Sequence, residues 1–212
     1  MSALNFLLQR DILAVATDTL ALSAETHLPS HFQSKMFPVL HLDGVICGTG
    51  IGQFVTQWYV LAATQMLTLS IPHLDQFTPT GLRSIASSNP LPTGSTSTIY
   101  HFGYDEDQGR FRGFAYRSEH DFASEELAYG FGIKPVVDFE PTGVIPDDFI
   151  RLISLQRDHD LALPLAQRIG VGGDVHILLL HPGHIEMAKY HRFPDFRGLY
   201  TDMCTRLPSV DG

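Results

Sequence analysis

The chain has 212 residues, 44% of them hydrophobic and 17% charged, with a formal net charge of −9. That balance supports a substantial core and excludes the basic footprint of a general nucleic-acid binder. No apolar stretch reaches the roughly 20 residues that span a bilayer, and Cys47 and Cys204 alone make no disulfide framework.

The start, MSALNFLLQR, has neither a basic leader nor a long apolar run, so a cytoplasmic location is expected. Residues 1–10 read as an N-terminal arm. The first hairpin is expected from Ile12 to Glu25, two apolar runs meeting at the polar Thr17-Asp18-Thr19. A second hairpin follows in KMFPVLHLDGVICGTG, where Asp43-Gly44 carries the two-residue turn signal and Pro38 marks a strand edge. In IGQFVTQWYVLAATQMLTLS, residues Phe54, Trp58, Ala62, Met66 and Leu69 recur at helical spacing, with Gly50 and Gly52 at the entry and Pro72 at the exit. Thr78-Pro79 opens a further helix, as an N-cap with proline behind it. A third hairpin turns at Asp105 to Gly109, and a short strand around Glu126 to Gly130 leads into YGFGIKP. Pro146, Asp147 and Asp148 suit the first turn of the next helix. GDVHILLLHPGHIEMAKYHRF is a last hairpin turning at Pro182-Gly183, and the tail from 196 to 212 is expected to be irregular. Helices grouped between antiparallel strand pairs indicate an α+β fold in which two stacked antiparallel sheets are flanked by helices.

Several segments, in this order, resemble the N-terminal-nucleophile hydrolases, in their proteasome β-subunit branch. They are ILAVATDTLALSAET, SKMFPVLHLDGVICGTGIG, STIYHFGYDEDQGRFRGFAY, ELAYGFG and GGDVHILLLHPGHIEMAKYH. The resemblance runs from about Asp11 to Phe196. It implies one domain over 1–212 and a four-layer αββα sandwich. In that family the first residue of the mature chain attacks a carbonyl and its own amine serves as base. A lysine tunes the amine, an acid holds the lysine, and backbone N–H groups stabilise the oxyanion.

Carried onto this chain, the resemblance makes Glu25 the acid, Lys35 the lysine and Gly48 the oxyanion region. The head of the first strand falls at Gln9, Arg10 and Asp11, which offer no hydroxyl or thiol. Phe131 stands where active members have serine, and Arg168 and Val171 stand where they have an aspartate and a serine beside the amine. A non-catalytic structural, assembly or binding protein is therefore the expected function. One alternative is an active amide hydrolase or peptidase, with Ser2 as nucleophile once Met1 is removed, Lys35 tuning it and Glu25 anchoring Lys35. Another is a small-ligand binder using the cleft. The resemblance also implies a homo-oligomer, in ring form, and a peptide or other amide as ligand. No cofactor and no metal are expected. His181 and His184 flank a turn but make only half of a structural zinc site. Cys47 reads as a small buried hydrophobe, and GTGIG as a tight turn without the lysine of a phosphate loop.

Overall fold

The computed structural model describes residues 3–206. Its strands and helices in chain order are β1 (Leu4–Leu8), β2 (Leu13–Asp18), β3 (Leu20–Leu22), β4 (Pro29–Phe32), β5 (Met36–Val39), β6 (Gly44–Thr49), α1 (Gly52–Thr64), α2 (Ile71–Asp75), α3 (Thr78–Ser88), β7 (Thr98–Asp105), β8 (Arg110–Arg117), β9 (Ser124–Glu126), β10 (Gly130–Lys134), α4 (Asp147–Ala162), β11 (Asp174–His181), β12 (His184–Arg192) and α5 (Phe196–Thr205). The chain is a mixed α+β sandwich. One five-stranded sheet has the order β10-β1-β2-β11-β12, the other β5-β6-β7-β8-β9, and β3 pairs with β4 apart from both. All strand pairs are antiparallel. No helix among the described residues is long and apolar enough to cross a membrane.

Strand alternation explains why β2 is apolar on both faces. Leu13 and Val15 join Leu4, Phe6, Tyr100 and Phe102 in a cluster between the two sheets. Ala14 and Ala16 face the other way, where small side chains let Phe149 and Ile153 of α4 approach. A third cluster binds α1 to α3 to the outer face of the second sheet around Trp58, Ile71 and Leu82.

Several expectations about elements are corrected. The first hairpin is β1–β2, with Leu8 opposite Leu13 and a tip at Gln9, whose N–H donates to Ile12 O at 3.0 Å. Residues 4–8 are thus an interior strand of the first sheet and not an arm. Thr17-Asp18-Thr19 is no turn: β2 runs on into β3, and the chain reverses over residues 23–28. In the second hairpin the left-handed residue is Asp43, at φ 42°. Gly44 is there for space, because a Cβ would lie 2.6 Å from Phe102 O and from Ile71 Cγ1. The long amphipathic stretch divides: α1 ends at Thr64, and Ser70, accepting from His73 N–H, caps α2 with Pro72 in its first turn. Thr78 lies inside α3, whose N-cap is Phe77. The tail holds α5, and Phe196 stacks on Phe32 with ring centroids 4.3 Å apart. The hairpins β7–β8 and β11–β12 turn where expected, with Asp105 opposite Arg110 and His181 opposite His184.

Candidate functional site

The register of β1 against β2 places Leu4 opposite Thr17, so the chain start reaches the end of β2. There Asp18, fully buried, gathers four donors. Its Oδ1 accepts from Lys35 Nζ at 2.7 Å and from Ala3 N–H at 3.1 Å. Its Oδ2 accepts from Leu20 N–H and Gly172 N–H, each at 3.1 Å. Lys35, 5% exposed, also donates to Leu20 O at 2.7 Å. Burial is the largest influence on both members of this pair: it raises the Asp18 carboxyl above the ordinary carboxylate value and lowers the Lys35 ammonium below the ordinary lysine value. The mutual attraction and the backbone N–H groups on Asp18 oppose that drift. The third N–H of Lys35 has no acceptor among the described residues.

Gly172 is brought in by a glycine-rich turn. Gly170 and Gly173 have φ of 77° and 82°, values that favour glycine. Asp160, at the end of α4, accepts from the N–H groups of Ile169, Gly170 and Val171 at 2.7, 3.1 and 3.2 Å and so fixes the segment that presents Gly172.

The residues expected at the site fall as follows. Lys35 is central, but its acid is Asp18. Glu25 is an exposed residue of the 23–28 turn, and among the described residues it makes no ion pair. Gln9, Arg10 and Asp11 lie exposed at the hairpin tip, a strand's length from Asp18, about 16 Å for five residues. They are not the head of the strand; that end is Ala3. Ser2 lies outside the described residues, and the peptide bond joins it to Ala3. Gly48 is in β6, and its N–H points at Lys35 O across a long 3.4 Å. A Cβ there would sit 2.8 Å from Val55 Cγ2 and 2.9 Å from Thr98 O. Lys35, Gly48, Gly50 and Val55 border a small crevice. Phe131 turns toward α4, its ring centroid 6.0 Å from that of Phe149. Arg168 donates to the Leu161 and Leu163 carbonyls at the end of α4. Val171 is buried in the α4 cluster, while its neighbour Gly172 reaches Asp18.

Cys47 is fully buried, and burial pushes its thiol up, away from the reactive thiolate. Among the described residues no group of three or more His, Cys, Asp or Glu side chains is placed to hold a metal.

Sequence reasoning missed Asp18 and Asp160. Asp18 had one signal: two apolar runs, 4–8 and 12–16, joined by the polar tip Gln9-Arg10-Asp11. Pairing them leaves Asp18 beside the chain start. Asp160 carried none, since an acid near a helix end reads as a solvated one. No family model matches the chain, and no curated protein matches it.

Proposed function

We propose that the chain is an amide hydrolase of the N-terminal-nucleophile type, with Ser2 as its first residue once the peptide bond before it is cut. The observation that carries this is the shared oxygen: Asp18 Oδ1 holds both Ala3 N–H, at 3.1 Å, and Lys35 Nζ, at 2.7 Å. The residue bonded to Ala3 is therefore tied to the buried ion pair by one peptide unit. The non-catalytic expectation rested on a strand head at Gln9 to Asp11 and on the absent partners at Phe131, Arg168 and Val171; the pairing of β1 with β2 puts Gln9 to Asp11 at a hairpin tip and removes the first of these grounds. The two sheets with helices outside them are read, on this proposal, as a four-layer αββα sandwich.

The chemistry follows from the groups at hand. The Ser2 hydroxyl attacks a substrate carbonyl and gives its proton to the Ser2 amine, a base whose ordinary pKa is about 8. The Lys35 charge favours the neutral amine and the developing alkoxide. The Gly48 N–H, only loosely held by Lys35 O, is assigned to the oxyanion. The amine then protonates the leaving nitrogen as the C–N bond breaks, and water hydrolyses the Ser2 ester. Phe131 and Val171 bring no polar side chain and Arg168 is engaged by the Leu161 and Leu163 carbonyls, so on this proposal the tuning of the amine falls to Asp18 and Lys35.

The test is N-terminal sequencing, then reaction with a β-lactone and intact mass. A chain beginning at Ser2 should gain one acyl group on Ser2 and lose that reaction in Ser2→Ala. A chain beginning at Ser2 that takes no label and cleaves no amide would leave the non-catalytic reading in its place.

Self-association is proposed through the outer surface of α1 and the segment after it. Residues 44–74 contain no Asp, Glu, Lys or Arg, yet Val60, Leu67 and Leu69 are exposed there. Two copies of a chain with net charge −9 repel except across such an uncharged patch. Light scattering should give more than a monomer mass, and Leu67→Asp should lower it.

A further inference from the structure

The chain has three lysines, Lys35, Lys134 and Lys189. Lys35 is paired with Asp18. Lys134 ends β10 and lies opposite Leu4 of β1, a cross-strand neighbour at about 5 Å between Cα atoms. Along β10 its side chain shares the face of Gly132, whose missing Cβ would meet Phe6 between the sheets. From there Lys134 Nζ crosses to the second sheet and donates to Thr98 Oγ1 at 2.9 Å. Thr98 is opposite Thr49, the residue after Gly48. Thr49 Oγ1 is buried and has no partner among the described residues. By strand alternation Thr49 and Thr98 share the inward faces of Cys47 and Tyr100.

The ammonium and the Thr98 hydroxyl therefore meet between the sheets, with the Thr49 hydroxyl on the same face of the neighbouring strand, at the end where Gly48 and the chain start lie. Lys134 is half-buried, and no carboxylate comes within ion-pair distance of it among the described residues. The charges that act on it are Arg117, itself paired with Glu125, and, in the opposite sense, Glu119. In a chain with 23 acids and 14 lysines and arginines, an unpaired and partly desolvated cation is out of keeping with its surroundings. Burial and the Arg117 charge both lower its pKa, a cost that a bound anion would reverse. The orphaned Thr49 hydroxyl is a donor in want of an acceptor.

We propose that Lys134, with the hydroxyls of Thr98 and Thr49, is an anion subsite that selects amide substrates carrying a carboxylate beside the scissile bond. This rests on the reading of the site as an amide hydrolase. Lys134 is a specificity residue here and takes no part in the bond-breaking steps.

The test uses two fluorogenic peptide amides that differ only in Glu or Gln beside the scissile amide. The wild-type chain should favour Glu by about tenfold or more in kcat/KM, the range of one charge-assisted hydrogen bond. Lys134→Met should bring the two within about twofold, and Lys134→Arg should keep the preference. An unchanged Glu-to-Gln ratio in Lys134→Met overturns the proposal and leaves the hydrolase reading intact. If neither amide is cleaved, the hydrolase reading fails, and anisotropy of fluorescein-labelled Glu and Gln peptides decides the subsite. Tighter binding of the Glu peptide that Lys134→Met abolishes supports it, and equal binding of both peptides by the wild-type chain overturns it. Should Lys134→Met fail to fold, Thr98→Val serves: it should weaken the preference, and an unchanged ratio overturns the proposal.

Discussion

The buried pair can be taken apart one partner at a time. Lys35→Met removes the cation but leaves Asp18 three backbone N–H donors, from Ala3, Leu20 and Gly172. Breaking a buried pair costs about 3–5 kcal/mol, and the retained donors place this variant near the low end, about 3 kcal/mol. Asp18→Ala is worse. It strands the Lys35 ammonium on Leu20 O alone and orphans the N–H groups of Ala3 and Gly172, each worth about 1–3 kcal/mol when buried without a partner. Leu20 N–H is spared, because it also donates to Gly172 O at 3.0 Å. The total is on the order of 5 kcal/mol or more, comparable with the whole stability of a small domain. The double variant Asp18→Ala/Lys35→Met removes both charges and should cost less than the sum by about 2 kcal/mol or more. Urea unfolding followed by fluorescence of the single tryptophan, Trp58, which is fully buried, supplies the readout. An exposed pair would cost about 1 kcal/mol or less, with additive singles. A Lys35→Met loss in that range, or strict additivity, would refute the account of a desolvated, mutually dependent pair.

His101 is fully buried, its Nε2 accepts from Trp58 Nε1–H at 2.7 Å, and burial pushes its pKa down to about 3. The unfolded chain takes up that proton below about pH 6.5 and the fold does not, so stability should fall as pH drops from about 6.5 toward 3. His101→Gln keeps an acceptor for Trp58 but does not titrate, and the urea midpoint should then change less between pH 6.5 and 5 than it does in the wild-type chain. For Asp160, replacement by Ala orphans the N–H groups of Ile169, Gly170 and Val171, a loss of about 3 kcal/mol or more. Because those bonds set Gly172 against Asp18, β-lactone labelling of Ser2 should slow in Asp160→Ala even at temperatures where the variant remains folded by circular dichroism. Labelling at the wild-type rate would separate Asp160 from the site.

Much of this fold is written in local pattern. The β7–β8 hairpin shows its polar tip at Asp105 to Gly109, β11–β12 its Pro182-Gly183 turn, and α4 its proline and acids at the start. The elements that eluded pattern are those where tertiary demands override it. Met66 and Leu69 continue the helical period of α1, but the helix stops at Thr64 and Leu69 is 81% exposed. The β1–β2 tip, Gln9-Arg10-Asp11, has none of the glycine, proline or asparagine that announce a hairpin. Most telling is Thr17-Asp18-Thr19, polar enough to pass for a turn. Its polarity belongs to a buried carboxylate, and a site residue set in the middle of a strand-to-strand passage breaks the apolar rhythm from which strands are read. Lys134 has no local signal at all, since only the pairing of β10 with β1 brings it to the chain start.

The four donors on Asp18 come from positions 3, 20, 35 and 172. Three belong to the first fifth of the chain, but the fourth arrives only after most of it has been made. The carboxylate thus works as a roll-call: the arrangement is complete only when the early hairpin, the second sheet's leading lysine and the late glycine turn are all present. On the proposed function, a growing or half-folded chain would carry the serine without the setting that arms it. Newly made protein would then stay harmless to its neighbours until its own folding was finished.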